Sequence, residues 1–271
     1  MTTFEAALLG FVQGLTEFLP VSSSGHLVVV PELLGVPSPP LAFDVLLHLS
    51  SALAVMGYFA RDLLQMAKAY VSPRSMRPAE VRFWRRLLVF LVVGSIPTDV
   101  AGLVFGGFFE NLFSSTLAVG LFLMVTGLLM LAADAVLERS VGSRKTGRDM
   151  KVTDALVVGL FQALAIAPGL SRSGSTICAG MFLGFERRSA ARFSFLLSIP
   201  AILGAGLINL GDLRDGFSGQ GGVFLVGAAV SFVASALAVY GMLRFLRSHR
   251  FRPFIIYTLL LGAFVVVLSL A

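Results

Sequence analysis

GLTEFLPVSSSGH, residues 14–26, places a carboxylate, three consecutive hydroxyls and an imidazole inside an apolar N-terminal region with no lysine or arginine before Arg61. An apolar run with helical character precedes this stretch, and a run too short to span a bilayer follows it. Over residues 2–34 the pattern therefore predicts two helical halves joined by a polar Ser/Gly/Pro break. Residues 152–184 have the same pattern, with PGLSRSG at residues 168–174 as the break. Backbone that leaves the helix at membrane depth has no water for its N–H and C=O groups. It survives only when buried in protein or lining a wet cavity. Each region is expected to be a re-entrant helical hairpin, and the two breaks to mark the site.

That a membrane is the solvent follows from composition. Of 271 residues 56% are hydrophobic and 13% charged, with mean hydropathy +0.89, more apolar surface than a water-soluble domain can bury. Six further segments, near 41–60, 83–107, 115–136, 189–210, 222–243 and 254–270, are apolar over the length that a helix needs, about 20 residues for roughly 30 Å of hydrocarbon. The expected fold class is an all-α polytopic membrane protein with six full transmembrane helices and two re-entrant hairpins. Lone Cys178 offers no internal disulfide, and the N-terminus has no serine-rich or cationic leader. The first apolar segment is expected to be retained.

The two broken regions are copies. Gly10, Gln13, Ser22, Ser24 and Gly25 recur as Gly159, Gln162, Ser171, Ser173 and Gly174 at a constant separation of 149, with Pro20 and Pro168 one position out of step. Each half is a hairpin followed by three spans. Three is odd, so the second half must enter from the opposite side, giving inverted-topology repeats over 1–137 and 152–271 with a basic linker at 138–151. Such repeats set a site between facing broken helices near the midplane. The net charge of +6 reflects short basic clusters between apolar segments, which is a topology signal and not a nucleic-acid surface. Nineteen of the 21 basic residues fall in four clusters, within 61–86, 139–151, 187–192 and 244–252, which the positive-inside rule makes cytoplasmic. The termini and the mouth of the first hairpin are then outside. Arg214 falls in an outside loop, and Arg172 lies inside the second break.

Arg172 carries the strongest chemical signal. An intramembrane arginine is expensive unless paired or solvated, so function is its default reading; a pair with Glu17 that locks the hairpins together is the structural alternative, and both can hold. Its planar fork suits phosphate oxygens, and each break begins a short helix whose free N–H groups favour an anion. Opposite it, Ser22, Ser23, Ser24, His26 and Glu17 supply nucleophile, proton carrier and charge. The set reads as phosphoryl transfer. Gln13 and Glu17 lie four apart on one helix face and can position water or a cation. Ser171, Ser173, Gly174 and Thr176 are expected to line the pocket together with Gly25, or to cap the short helix that begins near Gly174.

QGLTEFLPVSSSGH at 13–26 and PGLSRSG at 168–174 resemble the two signature motifs of the undecaprenyl-diphosphate phosphatase family, also called the bacitracin-resistance protein family. Chain length, the FLLSIP stretch at 195–200 and the hairpin pattern agree over the whole chain. The resemblance implies a bacterial plasma-membrane hydrolase that takes the terminal phosphate from a C55 polyprenyl diphosphate and returns the monophosphate carrier to cell-wall synthesis. It implies Ser23 as nucleophile, with His26 taking its proton, and Arg172 and the loop amides holding the phosphoryl group. Attack by a water that Glu17 or His26 activates is equally compatible with the sequence. A divalent cation (Mg or Ca) near Glu17 is implied by analogy, and no organic cofactor. The family's first motif accepts Glu or Gln at its leading position; here it is Gln13, so Glu17 alone supplies a carboxylate.

A transporter or flippase of an anionic lipid would share the broken helices and the arginine, but needs no serine beside an imidazole. His48 and Asp44, four apart in the first span, read as a satisfied pair, and Asp99 beside Pro97 as an inward hydrogen bond. His249 lies in a basic loop, and Tyr70 and Trp84 flank the first basic cluster as interfacial anchors. A substrate site opening to the extracytoplasmic side is expected, because Glu17, Ser23 and His26 belong to the outside-entering hairpin.

Overall fold

The computed structural model describes residues 1–36, 38–139, 144–209, 211 and 220–270, and the side chain of residue 110 is also outside the description. Arg214, Leu210 and part of the 138–151 linker therefore lie outside the described residues. The described chain is helical throughout. Its helices are α1 (Thr3–Phe18), α2 (Ser23–Leu34), α3 (Leu41–Tyr58), α4 (Ala60–Val71), α5 (Pro78–Phe113), α6 (Thr116–Arg139), α7 (Val152–Leu164), α8 (Arg172–Phe182), α9 (Arg187–Ile208), α10 (Gly221–Phe245) and α11 (Arg252–Leu270). Six of them, α3, α5, α6, α9, α10 and α11, are long and apolar enough to cross a membrane, and they fall on the six segments expected from hydropathy. The protein is a multi-pass membrane protein.

Local chemistry sets the boundaries. Thr2 and Glu5 form a reciprocal cap at the start of α1, Thr2 N–H donating to Glu5 Oε2 at 2.9 Å and Glu5 N–H to Thr2 Oγ1 at 3.2 Å. Gly35, at φ 64°, ends α2 in the left-handed conformation that its missing Cβ permits. α4 was not anticipated. It is an amphipathic helix with Met66 and Ala69 buried and a charged opposite face, too polar to span but able to pack one stripe on the bundle.

α3 and α9 form the centre. Half of the α3 span and 56% of the α9 span are buried, against 22% for α5 and α11, whose outward apolar side chains face lipid. Between α3 and α10 a hydroxyl ladder runs, Ser235 Oγ donating to Ser51 Oγ at 2.9 Å and Ser231 Oγ to the Leu47 carbonyl at 3.2 Å. Small side chains of this kind let membrane helices approach closely.

The broken helices pack against helices distant in sequence. α1 lies along α10 and α7 along α5, each through a glycine pair. A Cβ on Gly10 would sit 2.2 Å from the Gly227 carbonyl oxygen, and one on Gly159 would sit 2.2 Å from the Gly94 carbonyl oxygen. Gly10→Ala and Gly159→Ala should each lower thermal stability in detergent by roughly 1–3 kcal/mol or more, the cost of overpacking. Gly107→Ala, which meets open space, should not. Equal behaviour of all three would reject these crossings.

The four basic segments meet at one end of the bundle. Arg192 of α9 pairs with Asp62 of α4 at 2.6 Å, and Arg187 with Asp134 of α6 at 2.6 Å. Asp134 also accepts the Phe251 N–H at 2.9 Å, and Arg250 pairs with Glu138 at 2.8 Å. Lys145 exchanges backbone hydrogen bonds of 3.0 Å with Gly184 and Glu186, and Arg86 donates to the Met150 carbonyl at 2.9 Å. Asp99, expected to turn inward, is exposed on α5 instead, one position past the Thr98 hydroxyl that accepts from Gln162.

Candidate active site

Both helical breaks are built by the same serine chemistry. Ser22 caps α2 and Ser171 caps α8, their hydroxyls accepting from Gly25 N–H at 3.2 Å and Gly174 N–H at 3.1 Å. In each loop the capping hydroxyl also lies 3.2 Å from the serine two positions on, Ser24 or Ser173. Those second serines tie the loops to each other. Ser24 Oγ accepts from Gly169 N–H at 3.4 Å, and Ser173 Oγ donates to the Leu19 carbonyl at 2.9 Å. A hydroxyl that caps or cross-links satisfies backbone groups freed by the break. Ser22 holds φ 69°, a conformation that costs a non-glycine residue about 1–3 kcal/mol, so the loop is fixed by its contacts and not by local preference.

The chemistry diverges where the geometry agrees. At the separation of 149, Ser23 has Arg172 as its counterpart, Glu17 has Ile166 and His26 has Ser175. One loop therefore offers a hydroxyl and a carboxylate, the other a guanidinium, and the cross-links bring them together. Ser23 Oγ donates to Glu17 Oε2 at 2.6 Å, Gln13 Nε2 donates to the same oxygen at 3.0 Å, and Arg172 Nη2 donates to Glu17 Oε1 at 2.5 Å. Arg172 also stacks 5.8 Å above the ring of buried Phe18. Among the described residues its Nη1 is buried with no hydrogen-bond partner, which is costly for a charged donor and leaves N–H groups for an incoming oxygen.

The other expected residues sit less centrally. His26 is turned from Ser23. Its Nδ1 lies 2.7 Å from the Ser22 carbonyl and its Nε2 2.6 Å from the Tyr257 hydroxyl. A carbonyl takes only a donor, so Nδ1 carries the hydrogen, and in the neutral ring Nε2 accepts from Tyr257. Thr176 is fully buried against α9, its Oγ1 2.6 Å from Ser194 Oγ. Gln162, the counterpart of Gln13, donates to Thr98 Oγ1 at 3.0 Å.

Two neighbours were not among the expected site residues: His48, read only as a partner of Asp44, and Tyr257. His48 does not pair with the Asp44 side chain: its Nδ1 meets the Asp44 carbonyl at 2.8 Å, and its Nε2 reaches to 3.7 Å from Glu17 Oε2. Position 48 is two helices on in sequence, and only the packing of α3 against α1 puts it at the site. Tyr257 arrives from α11 and had no motif to mark it.

A divalent cation would find hard oxygen donors here, Glu17 and the unpartnered buried Gln13 Oε1. Among the described residues no group of three or more His, Cys, Asp or Glu side chains could hold a metal. The donor set fits a cation that arrives with phosphate oxygens, as Mg²⁺ commonly does, and not an all-protein cage.

Residues 6–264 match the family described as "Bacitracin resistance protein BacA". Among curated relatives, the chain is 40% identical to the undecaprenyl-diphosphatase of Alkaliphilus metalliredigens, with all of both chains aligned. It is 43% identical to that of Desulforudis audaxviator over 100% of this chain and 99% of the relative. It is also 43% identical to that of Thermomicrobium roseum over 97% of this chain and 96% of the relative.

Proposed function

This chain belongs to the bacitracin resistance protein family, and we propose that it hydrolyses undecaprenyl diphosphate through Ser23 with Glu17 as proton acceptor. The activity is that of an undecaprenyl-diphosphatase, a hydrolase of the diphosphate anhydride that yields polyprenyl monophosphate and phosphate. The observation that carries the mechanism is one buried carboxylate with Ser23 on one oxygen and Arg172 on the other.

Ser23 Oγ attacks the terminal phosphorus, its proton passes to Glu17, and the bond to the bridging oxygen breaks, releasing polyprenyl monophosphate. Glu17 passes that proton to the departing monophosphate and, ionised again, takes a proton from a water that attacks the phosphoserine. The P–Oγ bond breaks, phosphate leaves, and Ser23 Oγ recovers its proton from Glu17. The role read for His26 from sequence passes to Glu17 in this scheme. His26 holds the first turn of α2 through the Ser22 carbonyl and so aims Ser23. Arg172 Nη1 and the free N–H groups of the α2 and α8 starts take the phosphoryl oxygens, where positioning and charge neutralisation dominate such reactions. Glu17 and Arg172 nearly cancel, so the diphosphate's charge calls for more cation than the protein holds. Glu17 and Gln13 Oε1 would hold a divalent ion, which would neutralise the phosphate oxygens. Purified protein in detergent should release phosphate from undecaprenyl diphosphate, with the rate falling on chelation; absence of release with added Mg²⁺ and Ca²⁺ would reject the reading.

Two inverted-topology repeats, 1–137 and 152–271 joined by a linker at 138–151, underlie this site in the same proposal. Support comes from the shared separation of 149, the matched caps of α2 and α8, and the crosswise glycine pairs of α1 with α10 and α7 with α5. α1–α2 and α7–α8 are then re-entrant hairpins in the bacterial plasma membrane. The meeting of all four basic segments at one end supports placing that end in the cytoplasm and the mouth near Ser23 outside. In a Cys178→Ala background, an impermeant thiol reagent added outside should label Gln220→Cys and spare Ser75→Cys; the reverse pattern would invert the topology. Right-side-out vesicles should hydrolyse diphosphate lipid confined to the outer leaflet and release phosphate outside.

A further inference from the structure

The basic end of the bundle, remote from the serine loops, holds an amphipathic groove that the reaction does not use. Two adjoining cavities, of 420 and 340 Å³, lie between the start of α5 and the segment entering α7, and share Arg86 and Phe90. Arg82, Arg86 and Arg148 line the larger, with Phe83 and Trp84 as its aromatic wall and Glu80 as the carboxylate in its lining. The smaller is lined by Val89, Phe90 and Val152 together with Arg85, Arg86 and Lys151, with Val89 and Val152 exposed on its apolar side. Charged and apolar side chains thus share the lining of both cavities. Arg82 and Val89 are seven positions apart on α5, about 10 Å along the axis.

The groove is built and not incidental. Arg86 is fixed by the Met150 carbonyl at 2.9 Å and lies 5.5 Å above the Phe90 ring. Arg85 is fixed by the Ala69 carbonyl at 2.9 Å and lies 5.1 Å above Tyr70. Among the described residues neither Arg82 nor Arg148 makes an ion pair, so two guanidinium forks remain for an anion. Trp84, next to this basic cluster, is of the residue type enriched at the headgroup level of bilayers.

We propose that this groove binds an anionic phospholipid of the surrounding leaflet, its phosphate between Arg82, Arg86 and Arg148 and its upper acyl chain along Val89, Phe90 and Val152. Cationic pockets between membrane helices recognise such headgroups by charge and by the bidentate reach of arginine. The apolar side chains contribute contact that a soluble phosphate would not use. The lipid would bridge α5 and the entry to α7, the helix whose far end, 13 residues away and about 20 Å along, leads to the Arg172 loop. This inference stands whether or not the catalytic scheme does.

The test uses the full chain reconstituted in phosphatidylcholine vesicles with trace spin-labelled phosphatidylglycerol or spin-labelled phosphatidylcholine, reading the motionally restricted fraction. Phosphatidylglycerol should associate roughly fivefold or more tightly than phosphatidylcholine. Arg82→Gln/Arg148→Gln should bring that ratio close to one, while Arg74→Gln/Arg77→Gln, with the same loss of charge in the same loop, should leave it high. Val89→Trp, which keeps every charge and fills the apolar side of the smaller cavity, should also lower it, and it decides the matter if the arginine variant does not fold. No preference in the native protein, or equal loss in the Arg74/Arg77 variant, would overturn the proposal. So would full displacement by inorganic phosphate, or restriction of undecaprenyl monophosphate with none of phosphatidylglycerol.

Discussion

Ser23→Ala should abolish phosphate release, and Glu17→Gln should slow it by roughly 10²–10⁴-fold, the range of a lost general base. Each variant should still bind the diphosphate lipid. The alanine removes the hydroxyl that meets the carboxylate at 2.6 Å but leaves Arg172 and the helix starts in place. Glutamine keeps the size of Glu17 and loses its ability to take a proton, while one negative charge fewer faces the incoming diphosphate. Single-turnover assays with binding measured separately will separate these effects. Near-normal release by Ser23→Ala, with loss in Ser22→Ala or Ser24→Ala, would move the nucleophile within the triplet. Retention by all three would mean that water attacks directly. A dead Ser23→Ala beside a fully active Glu17→Gln would send the proton elsewhere, and His48, 3.7 Å from the same carboxylate, is the next group in reach.

The spans and the breaks were legible in the sequence because each rests on a one-dimensional property. An apolar run of bilayer length can be read without neighbours, and Ser22 and Ser171 announce their helix starts by position alone. The separation of 149 is likewise a property of the sequence alone, and the matched caps of Ser22 and Ser171 fall on it. α4 escaped because its apolar residues are few and the basic cluster around it has the composition of a loop; its helix forms from one stripe that packs Met66 and Ala69. The packing of α1 on α10 and of α7 on α5 also had no local signature, since a glycine in a membrane helix is common and its partner lies far away in the sequence.

The pairings within the site were the harder part. Glu17 and Arg172 were natural partners, because a buried charge needs its opposite. Which side chain would meet Ser23 depended on helix phase. Ser23 is the first residue of α2 and His26 belongs to the same first turn, but the histidine is captured by the Ser22 carbonyl below it and by Tyr257 across the bundle. Glu17, on the preceding helix, fills the place instead. A sequence motif lists residue types in order; the break between α1 and α2 decides which of them face each other.

Arg172→Lys should lower turnover by about 2–4 kcal/mol of transition-state stabilisation, roughly 30- to 10³-fold, while keeping the protein nearly as stable as the native chain. A lysine can hold the Glu17 charge, but one ammonium cannot both occupy Glu17 Oε1 and fill the site of Nη1, the buried nitrogen that has no partner among the described residues. Arg172→Gln removes the charge altogether and strands the Glu17 carboxylate, 5% exposed, so it should also unfold more easily, by about 3–5 kcal/mol for a broken buried pair. The double variant Glu17→Gln/Arg172→Gln removes both charges and should regain much of that stability without regaining turnover. Thermal unfolding and phosphate release measured on the same four proteins distinguish a clamp from a lock. If Arg172→Lys works at the native rate, the fork is not used and the arginine only joins the two loops. If stability and turnover rise and fall together across the set, the loss in each variant is structural, and the phosphoryl oxygens must be held by the helix starts alone.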